Sequence, residues 1–111
     1  MDQFINYNNQ VCLVTGAGSK TGIGFCTASI LGQLEGRIAL ISTTNRIHER
    51  AQELRSLGIE AKGYIADLMD REQVEEVISK VISDFGAIDV LVNNAGMTQV
   101  GEARISLSLQ I

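Results

Sequence analysis

The sequence predicts an α/β fold in which helices cover both faces of a parallel sheet. Apolar runs rich in β-forming residues alternate with segments that have apolar residues at helical spacing, in the order β-α-β-α-β-α-β. The connecting segments are short, and no proline interrupts the 111 residues. Short strand-helix-strand connections are right-handed and place helices against a parallel sheet. We therefore predict a three-layer α/β/α architecture, truncated after its fourth strand.

The first strand is predicted at Val11 to Thr15 (VCLVT), directly before the glycine cluster from Gly16 to Gly24. A helix is expected from Ile23 to Leu34, where Gly36 stops it. Its apolar residues recur at helical spacing and are Ile23, Cys26, Ile30, Leu31 and Leu34.

The second strand lies within Arg37 to Ser42, and the second helix spans Arg46 to Leu57, with Leu54 and Leu57 facing inward. Gly58 is the expected stop of that helix.

The third strand is predicted at Ala61 to Ala66 and the third helix at roughly residues 71–85, with an acidic start that suits the helix dipole. The fourth strand, Ile88 to Val92, runs into the sequence Asn-Asn-Ala-Gly at residues 93–96. The apolar stripe of the third helix consists of Val74, Val77, Ile78, Val81, Ile82 and Phe85.

Composition argues against several classes of function. The net charge is −4 and the nine Arg and Lys residues are scattered, so no nucleic-acid-binding face is expected. The opening lacks the pattern of a signal peptide, and no apolar run approaches the length of a membrane span. One His and no ligand cluster predict no metal site. Cys12 and Cys26 are interpreted as buried free thiols, which favours the cytoplasm.

The glycine cluster between the first strand and the first helix suggests a phosphate-binding loop. Glycines let the backbone approach a pyrophosphate, and the helix N-terminus offers free N–H groups. A P-loop needs a glycine directly before Lys20, where Ser19 stands. The spacing GxGxxG from Gly16 fails because Thr21 occupies the last glycine position.

The loop instead resembles the TGxxxGxG segment of the short-chain dehydrogenase/reductase family. In one alignment Thr15-Gly16 opens the motif and Gly22-Ile23-Gly24 closes it, with two residues inserted between. In the other, Gly18, Gly22 and Gly24 match the glycine spacing themselves. Both alignments leave the phosphate contacts of Ser19, Lys20 and Thr21 open.

The resemblance extends over roughly residues 10–97. Asp67-Leu68 is similar to the family's pair that contacts the adenine, and Asn93 to Gly96 is identical to its NNAG motif, which lies against the cofactor ribose. Residues 42–54 (STTNRIHERAQEL) resemble members of the 3-oxoacyl carrier-protein reductase type. The resemblance implies a Rossmann-like dinucleotide site formed by Gly16, Ser19, Gly22, Ile23, Gly24, Thr43, Thr44, Arg46, Asp67, Leu68, Asn94, Ala95 and Gly96.

The end of the second strand should set the choice of cofactor. An acidic residue there would bind the ribose 2′-OH of NAD, whereas an Arg accommodates the 2′-phosphate of NADP. Residues 42–46 read Ser-Thr-Thr-Asn-Arg, and these hydroxyls and a guanidinium favour NADP over NAD. The alternative is that Arg46 only begins the second helix and is solvated.

The reaction of the family requires a Tyr that transfers a proton, a Lys four residues later and a Ser that polarises the carbonyl. Here Tyr7 and Tyr64 are followed at that distance by Val11 and Leu68. The expectation is a cofactor-binding part of an oxidoreductase, whose longer parent would transfer hydride between NADPH and a carbonyl, with no catalytic residues of its own. The alternative is a non-catalytic nucleotide-binding or self-assembling module.

The chain is interpreted as one domain with a lead at residues 1–10, the βα unit at 11–97 and an atypical tail at 98–111. In that tail apolar and polar residues alternate from Ile105 to Ile111, as in a strand. One hypothesis is that this segment covers the open edge of the fourth strand, within the chain or across a homo-oligomer. The other is that it has no structural role.

Overall fold

The computed structural model describes residues 7–18 and 22–94. Within them all strands are parallel and form one sheet of order β3-β2-β1-β4, which confirms the predicted fold class. The elements are β1 (Val11–Thr15), α1 (Ile23–Gln33), β2 (Arg37–Ser42), α2 (Arg46–Ser56), β3 (Ala61–Ile65), α3 (Arg71–Phe85) and β4 (Val90–Val92).

Side chains of the central strands alternate between two separate cores. Cys12, Val14, Ile38 and Leu40 point to the face covered by α1 and α2. The opposite face, which includes Leu13, is covered by α3. Strands β1 and β2 are therefore buried on both faces, which explains their nearly continuous apolar sequence.

Helix α1 presents its small residues to the sheet, which corrects the apolar face predicted from its sequence. Ile23 is 74% exposed, Ile30 is 53% exposed and Cys26 is exposed. The helix lies so close to its neighbours that a Cβ on Gly32 would come within 2.6 Å of Ile59 Cγ2. The buried residues are Gly24, Ala28, Gly32 and, from the predicted apolar face, Leu31.

The two cysteines therefore differ in environment. Cys12 is buried, as predicted, and burial together with the charge of Asp89 raises the pKa of its thiol to about 11. The prediction of a buried thiol was wrong for Cys26. Helix α1 packs on the sheet through the face that contains Gly24, Ala28 and Gly32, and Cys26 is therefore exposed to solvent. Both thiols are free.

Helix α2 ends one residue earlier than predicted, and this changes the environment of Leu57. Leu54 is buried, but Leu57 is 62% exposed, so the prediction that it faces inward was wrong. Leu57 is the C-cap, and the following Gly58 has a φ of 88° that turns the chain away from the helix axis.

Helix α3 has the predicted bounds and defined signals at both ends. The Asp70 carboxylate accepts the N–H groups of Glu72 and Gln73, and Gly86 ends the helix with a φ of 95°. Val77, Val81 and Phe85 are buried as predicted, but the prediction was wrong for Ile82, which is 46% exposed.

Arg50 connects the two helices on one face of the sheet. It is 7% exposed, and its Cζ lies 5.8 Å from the centroid of the Phe25 ring of α1. Its Nη2 is 2.7 Å from the carboxylate of Glu53, while its buried Nε has no hydrogen-bond partner. The contact fixes the first turn of α1 relative to the first half of α2.

Strand β4 is shorter than predicted and is outermost on its side of the described sheet. Its three residues are only half-buried, in contrast to those of β1. Asp89 precedes the strand, where its N–H donates to the Val11 carbonyl and its carboxylate accepts the Val11 N–H. The predictions for residues 98–111 lie outside the described residues.

The outer edge of β3 faces α3 across a cleft of about 620 Å³. There the Tyr64 hydroxyl and Lys62 Nζ both donate to Asp84, at 2.7 and 2.8 Å. These two hydrogen bonds lower the pKa of the Asp84 carboxyl.

In the part of the chain that the structure describes, no helix has the length and apolar character needed to cross a membrane.

Candidate functional site

The carboxyl ends of the parallel strands meet at one edge of the sheet, where they surround a cleft of about 340 Å³. This edge collects the loops that follow β1, β2 and β3. The residues that line the cleft are Gly16, Gly18, Ile41, Ser42, Thr43, Thr44, Arg46, Ala66, Asp67, Leu68 and Met69.

The turn after β1 is built on close approach between glycines. Gly16 has a φ of 67°, a conformation that glycine adopts without strain. A Cβ on Gly24 would lie 2.5 Å from the Gly16 carbonyl oxygen and 2.8 Å from Asn94 Nδ2. The first turn of α1 is thereby packed directly against the end of β1.

The N-terminus of α1 differs from those of the other helices. Its N-cap is Gly22, which has no side chain to cap the first N–H groups, and its first turn has no acidic residue. By contrast, the first turns of α2 and α3 contain Glu49 and Glu72. The positive end of the α1 dipole is therefore not neutralised from within its own first turn, as an anion site requires.

A buried threonine hydroxyl joins the ends of β1 and β4. Thr15 is 4% exposed, and its Oγ1 accepts the N–H of Asn94 at 2.8 Å. The same hydroxyl lies 3.3 Å from Asn93 Oδ1 and 3.4 Å from the Val92 carbonyl oxygen, both of which can accept its proton. Asn94 Nδ2 in turn donates to the Gly16 carbonyl at 3.4 Å. These contacts hold Asn93 and Asn94 against the glycine turn.

A second turn closes the end of β2. Ser42 Oγ accepts the N–H of Thr44 and donates to its carbonyl, both at 3.2 Å. A Cβ on Gly18 would come within 2.9 Å of that Ser42 oxygen, so the glycine loop packs against this turn. Arg46 lies in the first turn of α2 at the cleft, and no carboxylate among the described residues forms an ion pair with it.

The loop after β3 forms the opposite wall. The N–H of Asp67 donates to Gln73 Oε1 at 2.8 Å, and the Asp67 carboxylate accepts the N–H of Met69 at 2.9 Å. The N–H of Ala66 donates to the Ser42 carbonyl at 3.0 Å, which ties this loop to the end of β2. Apolar atoms of Ile41, Ala66 and Leu68 line the cleft between the two loops.

The structure brings most of the predicted site residues to this edge. Gly16, Thr43, Thr44, Arg46, Asp67 and Leu68 line the cleft. Gly24 and Asn94 contact the glycine turn, and Gly22 and Ile23 begin α1 beside it, with the Ile23 side chain in solvent. Ser19, Ala95 and Gly96 lie outside the described residues.

Sequence reasoning did not select Ile41, Ser42, Ala66 or Met69 as site residues. Ile41 and Ala66 are strand-end residues whose apolar character is equally typical of a core. Met69 follows the predicted Asp-Leu pair directly, so its position in the sequence was a usable signal. Among the described residues there is no cluster of three His, Cys, Asp or Glu side chains that could bind a metal.

A parallel sheet of order β3-β2-β1-β4, with a glycine turn leading into α1, defines a Rossmann-like α/β protein. The family model described as short chain dehydrogenase matches residues 10–108, and the chain belongs to this family. The match extends beyond residue 97, where the resemblance was expected to end.

The relatives are longer than this chain. The 3-oxoacyl-[acyl-carrier-protein] reductase FabG of Thermotoga maritima is 40% identical over 97 residues, which cover 81% of this chain and 36% of that protein. This confirms the predicted resemblance to reductases of that type. The chain spans about a third of the length of such curated relatives.

Solved structures give the same fold. NAD+-bound xylitol dehydrogenase is 38% identical with a TM-score of 0.77, over 84% of this chain and 35% of that one. A metagenomic short-chain oxidoreductase in complex with NADP is 34% identical with a TM-score of 0.76, over 82% and 41%. Relatives of this fold therefore bind either dinucleotide.

Proposed function

We propose that this chain is the dinucleotide-binding part of a short-chain dehydrogenase/reductase and that it prefers NADP over NAD. The observation that supports this most is the cleft at the carboxyl edge of the sheet, where an exposed Arg46 and two threonines lie opposite the largely apolar loop after β3. The cytoplasm is the proposed location. The proposed functional unit is residues 11–97, with the flanking segments as its lead and tail.

The residues present fit a dinucleotide along the length of this edge. The pyrophosphate would lie at the first turn of α1, held by Gly16, Gly22, Ile23 and Gly24, with Ser19 in the same loop. The glycine approach leaves no room for a Cβ at Gly24, and the α1 dipole is free to attract the phosphates.

Thr43, Thr44 and Arg46 would bind the adenosine ribose and its 2′-phosphate. No acidic side chain follows β2 before Arg46 to repel that phosphate, and a guanidinium can bind it with two parallel hydrogen bonds. Asp67 and Leu68 would contact the adenine. Asn94, Ala95 and Gly96 would lie against the second ribose.

We propose that these 111 residues bind the cofactor and that the residues that catalyse the hydride transfer lie outside them. When bound, the cofactor supplies hydride to a carbonyl in the full-length relative, as in a 3-oxoacyl reductase. The residues of this chain bind and orient the dinucleotide. Because no Tyr-x-x-x-Lys is present, we propose that the chain alone binds cofactor without turning over substrate.

A second candidate is a non-catalytic module that assembles with copies of itself. The half-buried β4, which has no further strand beside it in the described sheet, favours this alternative. Its outer edge, or the C-terminal segment, would then form the homo-oligomeric contact.

Replacing Arg46 by Ala (R46A) is expected to raise the Kd for NADPH roughly 10- to 100-fold, because hydrogen bonds to a charged partner contribute about 1.5–3 kcal/mol. The Kd for NADH should change less than about twofold, since NADH has no 2′-phosphate. Calorimetric titration of the purified chain with each cofactor measures both values.

Arg71→Ala is the matched control, because it removes the same charge from the first turn of α3, outside the lining of the cleft. It should leave the preference for NADPH intact. An equal rise in the Kd values for NADPH and NADH in R46A would contradict the proposed role of Arg46. No binding of either cofactor at millimolar concentration to the unaltered chain would overturn the proposed function and favour the self-assembling module.

A further inference from the structure

Met69 is an exposed apolar side chain at the rim of the candidate cleft. It is 79% exposed, more than any other large hydrophobic residue among those the structure describes. Exposed apolar side chains also occur elsewhere in the chain, as at Leu57. Met69 differs because it lines the cleft, next to the apolar atoms of Ala66 and Leu68.

The backbone at Met69 is fixed although its side chain is in solvent. Its N–H donates to the Asp67 carboxylate at 2.9 Å, and the next N–H, of Asp70, donates to the Asp67 carbonyl at 3.0 Å. Asp70 is itself the N-cap of α3. The Cα of Met69 is therefore held at the rim, while its three rotatable bonds let the thioether reach into the cleft.

The apolar part of this wall suits a flat aromatic ring. Across the cleft, Thr43, Thr44 and Arg46 offer polar groups for a ribose and a phosphate, whereas the loop after β3 offers the apolar Ala66, Leu68 and Met69 beside the Asp67 carboxylate. Thioethers make favourable contacts with aromatic rings, and an unbranched side chain adapts to the ring it covers.

We infer that Met69 is a further binding residue, whose thioether contacts the adenine base and shields it from water. The inference rests on the proposed function, because it requires a dinucleotide in this cleft. Leu68 contributes a fixed apolar surface since it is half-buried, and Met69 contributes an adjustable one.

The direct test is methyl NMR of the full chain labelled with 13C at the methionine methyl groups. The chain has three methionines, and the M69L variant assigns the Met69 signal by its loss. Adenosine 2′,5′-bisphosphate, which has the base but no nicotinamide, should shift the Met69 signal. Ribose 5-phosphate at the same concentration should leave it in place.

Affinity provides the second measurement. Met69→Thr should raise the Kd for adenosine 2′,5′-bisphosphate and for NADPH by the same factor, roughly three- to tenfold, the size of a thioether-aromatic contact. Met69→Leu should restore the affinity to within about twofold of the unaltered chain, since it keeps the apolar surface. Leu57→Thr, a change at an exposed apolar residue outside the cleft, should leave the Kd unchanged.

The outcomes separate the two proposals. Binding of adenosine 2′,5′-bisphosphate with an unmoved Met69 signal, or with equal affinity in Met69→Thr, would overturn the role of Met69 and leave the proposed function standing. No binding by the unaltered chain would overturn both. A fall in affinity in Leu57→Thr equal to that in Met69→Thr would also refute the inference.

Discussion

Gly24→Ala is expected to abolish dinucleotide binding and to lower the free energy of unfolding by about 1–3 kcal/mol, the usual cost of overpacking. The added Cβ would lie 2.5 Å from the Gly16 carbonyl oxygen and 2.9 Å from its carbonyl carbon. These are backbone atoms, which cannot move aside as the end of a side chain can. The helix must shift away from β1, and its first-turn N–H groups, which we propose bind the pyrophosphate, then move away from the glycine turn.

Gly32→Ala is the matched control, because it adds the same methyl group two turns later in α1. There the Cβ would meet three atoms of the Ile59 side chain, the nearest at 2.6 Å, and not the backbone of the glycine turn. Alanine also gains about 1 kcal/mol of helix propensity over glycine, which offsets part of the clash in both variants.

Urea unfolding of both variants measures their stability, and titration with NADPH measures their affinity for the cofactor. Gly24→Ala should lose binding at temperatures where the variant is still folded, whereas Gly32→Ala should retain an affinity close to that of the unaltered chain. Unchanged NADPH affinity in folded Gly24→Ala would show that the close approach of α1 to β1 is not needed for the site.

Thr15→Val is expected to lower the free energy of unfolding by about 1–3 kcal/mol, because it leaves a polar group without its partner. Valine matches threonine in shape and is favoured in strands, so the packing of β1 should survive. What disappears is the acceptor for the Asn94 N–H at 2.8 Å and the hydroxyl contacts with Val92 and Asn93. Asn94 should then lose its fixed position beside Gly16, and NADPH should bind more weakly.

Thr15→Ser keeps the hydroxyl and is the control that isolates the hydrogen bond from the methyl group. Denaturant unfolding should place Thr15→Ser between the unaltered chain and Thr15→Val in stability, with cofactor affinity largely retained. Loss of affinity in Thr15→Ser, with affinity retained in Thr15→Val, would mean that the methyl contact, and not the hydrogen bond to Asn94, holds Asn94 in place.

The order of elements followed from local sequence patterns because strands and helices here have different periodicities. β1 and β2 are buried on both faces and read as continuous apolar runs, and Asp70 and Gly86 mark the ends of α3 as their chemistry requires. The local sequence pattern did not predict which face of α1 is buried. Its buried face is set by close tertiary approaches, to the Gly16 backbone at Gly24 and to the Ile59 side chain at Gly32, which favour glycine over larger residues.

The parts of the candidate site that the sequence predicts are those in which the residue type restricts what the residue can do. Glycines before a helix and an Arg after β2 suggested a phosphate and a 2′-phosphate site, and the structure places them at one edge. Ser42 and Met69 were not selected, because their positions depend on the hydrogen bonds that shape each loop. Those bonds form between residues whose types are common in any turn.

A titration of the 15N-labelled chain with NADPH, followed through its amide signals, shows directly where the dinucleotide binds. If the dinucleotide binds at the carboxyl edge of the sheet, saturable shifts are expected in residues 16–18, 42–46 and 66–69, and in the first turn of α1. Shifts confined to the cleft on the outer edge of β3, around Lys62 and Lys80, or no shifts at millimolar NADPH, would contradict binding at the carboxyl edge.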